Sequence, residues 1–189
     1  YIRQCSHRGP DGSSIWYDDD ISLGHNLLAI TSEPAQGKQP VETKHGVLTY
    51  NGEIFNYADL IKETDWIPQT TCDTEYLSHA LGTMPYETVN EKIDSMHAYA
   101  YYRKATKHLI LSRDHVGIKP LYYAEIPQGL VFGSEIKGII DKVPNGRCID
   151  DFAAAAMSYS GINATRNTLF KNIKKVMPGE TLVYDVANK

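Results

Sequence analysis

The chain has 189 residues, 42% of them hydrophobic and 22% charged, with a formal net charge of −4. That length fits one domain able to bury a sizeable core. The charge leaves no basic footprint for nucleic acid or an anionic membrane surface, and no apolar run approaches the roughly 20 residues that span a bilayer. In chain order, strands are predicted at 21–30, 46–50, 98–102, 108–112, 121–124, 130–132 and 181–184. Several are apolar at adjacent positions, as in Leu109-Ile110-Leu111, the pattern of a strand covered on both faces. Helices are predicted at 57–62, 74–81, 86–93, 135–140 and 151–159. The last has Asp150 as its N-cap and Ala153 to Ala156 as strong helix formers. Strands grouped with strands, and helices between the groups, imply two sheets packed face to face under helical layers.

Three cysteines, Cys5, Cys72 and Cys148, form neither a disulfide framework nor a CxxC metal pattern, so a reducing, cytoplasmic setting is expected. Tyr1-Ile2-Arg3-Gln4 has no signal-peptide core. Five segments carry candidate chemistry. His7-Arg8-Gly9-Pro10-Asp11-Gly12 reads as a tight turn, with Arg8 and Asp11 as a possible surface ion pair. Tyr50-Asn51-Gly52-Glu53 follows a strand and admits two readings. One is an Asn-Gly hairpin. In the other, the Asn51 side-chain amide and the Gly52 backbone N–H hold a developing oxyanion. Thr71-Cys72-Asp73-Thr74-Glu75 opens a helix, with Asp73 either capping it or receiving a substrate ammonium group. Residues 112–123 and 132–138 each join a strand to a turn or helix, and His115 reads as a loop residue because no nucleophile is paired with it.

In this order and spacing, the five segments resemble the class II glutamine-amidotransferase (glutaminase) half of asparagine synthetases, and residues 169–182 resemble the stretch that closes that domain. The resemblance runs from residue 7 to residue 183. It implies an α+β fold, the four-layer αββα sandwich of N-terminal-nucleophile hydrolases, built on two mainly antiparallel sheets. It implies hydrolysis of L-glutamine to glutamate and ammonia through a thioester on an N-terminal cysteine, with no cofactor and no metal. By position, Asn51 and Gly52 would form the oxyanion hole. Glu53 and Asp73 would hold the α-amino end of glutamine, and Leu27, Leu28, Ala29, Ile30 and Thr31 would line its carboxylate side. The expected partners are a synthetase that accepts ammonia and, for the domain itself, a second copy.

Two positions depart from the family pattern. The family's nucleophile opens a core strand upstream of the His-Arg-Gly-Pro-Asp segment, whereas Tyr1 stands only six residues before His7. The 189 residues are therefore expected to form a single glutaminase-type domain without its first strand or a pyrophosphatase domain, and to be inert alone. Leu27 stands where the family usually carries an arginine that forks onto the substrate carboxylate. That substitution opens the alternative of a degenerate scaffold or binding module.

Overall fold

The apolar run Leu109-Ile110-Leu111 is buried on both faces, as its sequence predicts. The computed structural model describes residues 1–30 and 36–188. After a 3₁₀ turn at Arg3–Arg8 come β1 (Gly12–Tyr17), β2 (Ser22–Leu27), β3 (Val41–Glu42) and β4 (Gly46–Ile54). Helices α1 (Tyr57–Lys62), α2 (Asp73–Thr83) and α3 (Tyr86–Lys92) follow. Next are β5 (Ser95–Arg103), β6 (His108–Arg113), β7 (Tyr122–Ile126), β8 (Gly129–Gly133) and α4 (Ile136–Ile139). The chain closes with α5 (Asp151–Ser160), β9 (Lys174–Lys175) and β10 (Thr181–Asp185).

A five-stranded sheet in the order β10-β6-β5-β4-β3 carries the molecule, and its paired neighbours are antiparallel. Side chains alternate between its faces. Leu48, Tyr99, Tyr101 and Ile110 pack against Leu60 of α1, Leu77 and Leu81 of α2 and Val89 of α3. Each of these fully covered leucines contributes about 1.5–3 kcal/mol by leaving water. On the opposite face, Val47, Ala98, Ala100, Leu109 and Leu111 meet Leu23 of β2 and Tyr123 of β7. Behind β7, Ala124 packs on Ile139 and Ile140. The layers therefore run helix, sheet, sheet, helix, giving the αββα sandwich.

Four local expectations change. The segment Gly12–Tyr17, with no predicted element, is a strand paired to β2, with Ile15 and Tyr17 exposed. With Trp16 alone packed inward, the segment shows no apolar period. β2 stops at Leu27 instead of running to Ile30, and β4 continues past Tyr50 to Ile54. The outer β layer is not one sheet among the described residues. It comprises the pair β1-β2 and the triplet β8-β7-β9, because no strand joins β2 to β8. By contrast, Asp150 caps α5 as predicted, its carboxylate accepting from the Ala153 N–H at 2.8 Å.

Candidate active site

β3 pairs with β4 only at Val41↔Leu48 and Glu42↔Val47, so from Thr49 onward β5 alone holds β4. The Lys104 N–H donates to His45 O at 3.0 Å and the Phe55 N–H to Asp94 O at 2.7 Å. Those bonds place the odd-numbered residues of β4 in hydrogen-bonded pairs with β5. Tyr50, Gly52 and Ile54 therefore turn their amides toward the free edge. There the Tyr50 N–H donates to Gln39 Oε1 at 2.6 Å and the Ile54 N–H to Asp73 Oδ2 at 2.9 Å. The Gly52 N–H points along the same edge between them. Asn51 and Gly52 thus lie inside a strand that stays paired with β5 through Ile54↔Ser95, which removes the hairpin reading.

Asn51 projects from the face that looks toward the outer β layer. It lines a cavity of about 950 Å³ together with Gly52, Glu53, Asp73, Leu27, Leu28, Ala29 and Ile30. Thr31, the remaining predicted lining residue, lies outside the described residues. Among the described residues Asn51 Nδ2 is buried without a hydrogen-bond partner, a state that costs about 1–3 kcal/mol unless a ligand supplies the acceptor. Among the described residues the other such atoms are the hydroxyls of Tyr57, Ser78 and Tyr101, and none of those residues lines the cavity. Gly52 is crowded by its own neighbours: a Cβ there would overlap Met96 O and the Tyr50 ring. Only glycine lets the N–H sit at this point of the edge.

Asp73 opens α2 after Cys72, which occupies the N-cap position. Its Oδ2 accepts from the Ile54 N–H and from the Tyr50 hydroxyl at 3.2 Å. Burial, then the Asp73 charge, pushes the Tyr50 hydroxyl far up, so it stays protonated as a donor. Among the described residues, Asp73 Oδ1 has only the Cys72 Sγ, at 3.9 Å. It can accept from an ammonium group in the cavity. Glu53 is half-buried on the same face of β4 as Asn51.

Leu27 ends β2, its carbonyl accepting from the Asp11 N–H at 3.0 Å, and Asp11 Oδ2 accepts from the Ala29 N–H at 2.8 Å. Arg8 pairs with Glu135 at 3.2 Å, not with Asp11, and so ties the first motif to the fifth. Gly9 is needed for close approach, since a Cβ there would overlap the Asn26 main chain. Arg8 lines the cavity, whereas Lys38 is exposed outside it. Cys5 is buried, and burial followed by the Glu135 charge pushes its thiol up, away from thiolate character. Cys72 is likewise buried, and His115 lies exposed in its loop.

Sequence reasoning missed Gln39 and His25, both lining the cavity. Neither sits in a motif or repeats at an element's period, so the sequence holds no signal for them. Burial pushes the His25 imidazole down to about 4, which keeps it neutral beside the Thr49 hydroxyl at 3.2 Å.

The family model described as "Glutamine amidotransferase domain" matches residues 1–189. Asparagine synthetase [glutamine-hydrolyzing] 3 of Bacillus subtilis is 30% identical over 95% of the chain and 30% of its own length. Asparagine synthetase [glutamine-hydrolyzing] 2 of Oryza sativa is 38% identical over 74% of the chain and 24% of its own length. The chain thus spans about a quarter to a third of these curated relatives. Among solved structures, a glutamine phosphoribosylpyrophosphate amidotransferase from B. subtilis superposes with a TM-score of 0.57 at 19% identity, over 96% of this chain and 42% of that one. An enzyme described as the allosteric regulatory enzyme of purine biosynthesis gives 0.53 at 20% identity, over 86% of this chain and 32% of that one. These two likenesses establish the fold.

Proposed function

The chain belongs to the glutamine amidotransferase domain family, and from that premise we propose that within its complete protein it hydrolyses L-glutamine to L-glutamate and ammonia. A cysteine thiolate attacks the γ-carbonyl carbon, and the electron pair moves onto the carbonyl oxygen. Asn51 Nδ2 and the Gly52 N–H hold that oxyanion. As the tetrahedral species collapses, the C–N bond breaks and ammonia leaves with a proton from the cysteine's own α-amine. Water then attacks the thioester, releasing glutamate and restoring the thiol. Asp73 Oδ1 and Glu53 take the substrate ammonium, with Leu27 to Ile30 beside its carboxylate. The ammonia serves a synthetase domain of the kind named in the relatives.

The nucleophile would stand on a further strand of the complete protein, lying between β2 and β8. Support comes from the sheet pattern: β2 and β8 are both edge strands, and residues of both line the same cavity. One strand there would join the two pieces of the outer β layer.

The buried Asn51 Nδ2, partnerless among the described residues and adjacent to Gly52 on the edge of β4, carries this reading. In the full-length protein, Asn51→Ala should lower kcat by about 10²–10³ while KM changes little, because the lost contact acts in the transition state. A near-normal kcat would refute the oxyanion assignment. Leu27 favours a second reading, a domain that binds or scaffolds without turnover, and a full-length protein releasing no glutamate would select it.

A further inference from the structure

We infer that Gln39 is a positioning residue for the Gly52 N–H, acting through the free edge of β4. The inference rests on the reading of Gly52 as an oxyanion donor. Gln39 is 6% exposed and spends both ends of its carboxamide on one residue. Its Oε1 accepts from the Tyr50 N–H at 2.6 Å, and its Nε2 donates to Tyr50 O at 3.1 Å. That is the two-bond pattern a neighbouring strand residue makes with its main chain. It falls where the β3–β4 register, extended two residues back from Val41↔Leu48, would pair residue 39 with Tyr50. A side chain thus continues the ladder where the strand has ended. The carbonyl of Gln39 accepts in turn from the Ser14 hydroxyl of β1, so the clamp is anchored in the outer β layer.

Tyr50 is consequently held at three points: its N–H and C=O by Gln39, and its hydroxyl by Asp73. Its ring lies where a Cβ on Gly52 would be, so the position of Tyr50 limits that of Gly52. Asp73 fixes the next even residue, Ile54. Gly52 is the one even position between two clamped neighbours. Without the Gln39 clamp, β5 alone would hold β4 from Thr49 to Glu53, and the looser edge would let the Gly52 N–H turn away from the Asn51 amide. Ground-state binding of glutamine through Asp73 and Glu53 would remain.

The test uses full-length protein, steady-state glutamate release and a thermal melt for each variant. Gln39→Met keeps the side-chain length but neither hydrogen bond. It should lower kcat about tenfold, a part of the loss from deleting an oxyanion donor outright, with KM within about threefold. Gln39→Glu accepts from the Tyr50 N–H but repels its carbonyl until the new carboxyl is protonated. Its kcat relative to wild type should therefore rise as pH falls from about 8 to about 5.5, a signature that loss of packing does not give. Should Gln39→Met fail to fold, Gln39→Glu and Ser14→Ala carry the test, the latter with a smaller fall in kcat and unchanged KM. A raised KM at unchanged kcat, or a flat relative pH profile for Gln39→Glu, would overturn the inference. Asn51→Ala in the same assay separates the two claims. If it lowers kcat and the Gln39 variants do not, only Gln39 loses its role. If it leaves kcat normal, or wild type is inactive, the glutaminase site itself falls and this inference with it.

Discussion

Replacing Asp114 by asparagine should cost the domain about a fifth or more of its stability. Asp114 is 1% exposed, and among the described residues no basic side chain reaches its carboxylate. Instead, four main-chain amides converge on it: Val116 at 3.2 Å and Ile118 at 2.8 Å on Oδ1, Lys119 at 3.0 Å and His97 at 3.3 Å on Oδ2. Burial alone would raise its pKa, but these amides outweigh it and hold the carboxyl below its usual range. Asparagine keeps one acceptor oxygen and turns an NH2 group toward two of the donors. Losing two hydrogen bonds to a charged acceptor, at about 1.5–3 kcal/mol each, predicts a loss of roughly 3–6 kcal/mol from a total of about 5–15. Urea unfolding at pH 7 should show a lower midpoint with an unchanged slope. Because the folded pKa is depressed, the stabilisation is present above the unfolded value near 4 and disappears as pH falls through the folded one, so Asp114→Asn should show a weaker acid transition. A loss under about 1 kcal/mol would refute the view that this carboxylate organises the loop from 114 to 119.

Other outcomes follow from the same geometry. His25 and His97 are both pushed down to about 4, first by burial, and neither should titrate above pH 5 in an imidazole NMR experiment. Since the unfolded chain takes up these protons first, stability should fall between pH ~6.5 and ~4; titration near 6.5 in the folded protein would contradict their burial. Gly9→Ala should destabilise by about 2 kcal/mol or more in thermal unfolding, because the obstacle is the Asn26 main chain, and an unchanged melting temperature would show that the approach is loose. In calorimetry on full-length protein, Leu27→Arg should tighten glutamine binding and Asp73→Asn should weaken it, each by about 1–3 kcal/mol. Tight binding insensitive to both would displace the pocket from the place assigned to it.

The fold was legible where a local signal marks an element. The contiguous apolar run of β6 defines its strand, and Asp150 with Ala153 marks the start of α5. Two features depend on pairing with another strand. Asn51-Gly52 has the composition of a turn, and only its pairing with Ala98 and His97 makes it strand. β1 turns Ile15 and Tyr17 to solvent with only Trp16 packed inward, and is defined by β2. The candidate site divides the same way. Asn51, Gly52, Glu53 and Asp73 stand out by residue type and resemblance, and the structure brings them to one cavity. Gln39 does not stand out, because its role exists only through the backbone of Tyr50, eleven positions away.

The most direct test of the central claim is a crystal structure of the full-length protein with its product L-glutamate bound. A side-chain carboxylate oxygen should lie about 2.7–3.1 Å from both Asn51 Nδ2 and the Gly52 N, the distances required of an oxyanion hole. The α-amino group should reach Asp73 Oδ1. A carboxylate bound elsewhere, with Asn51 Nδ2 hydrogen-bonded to the protein, would contradict the account.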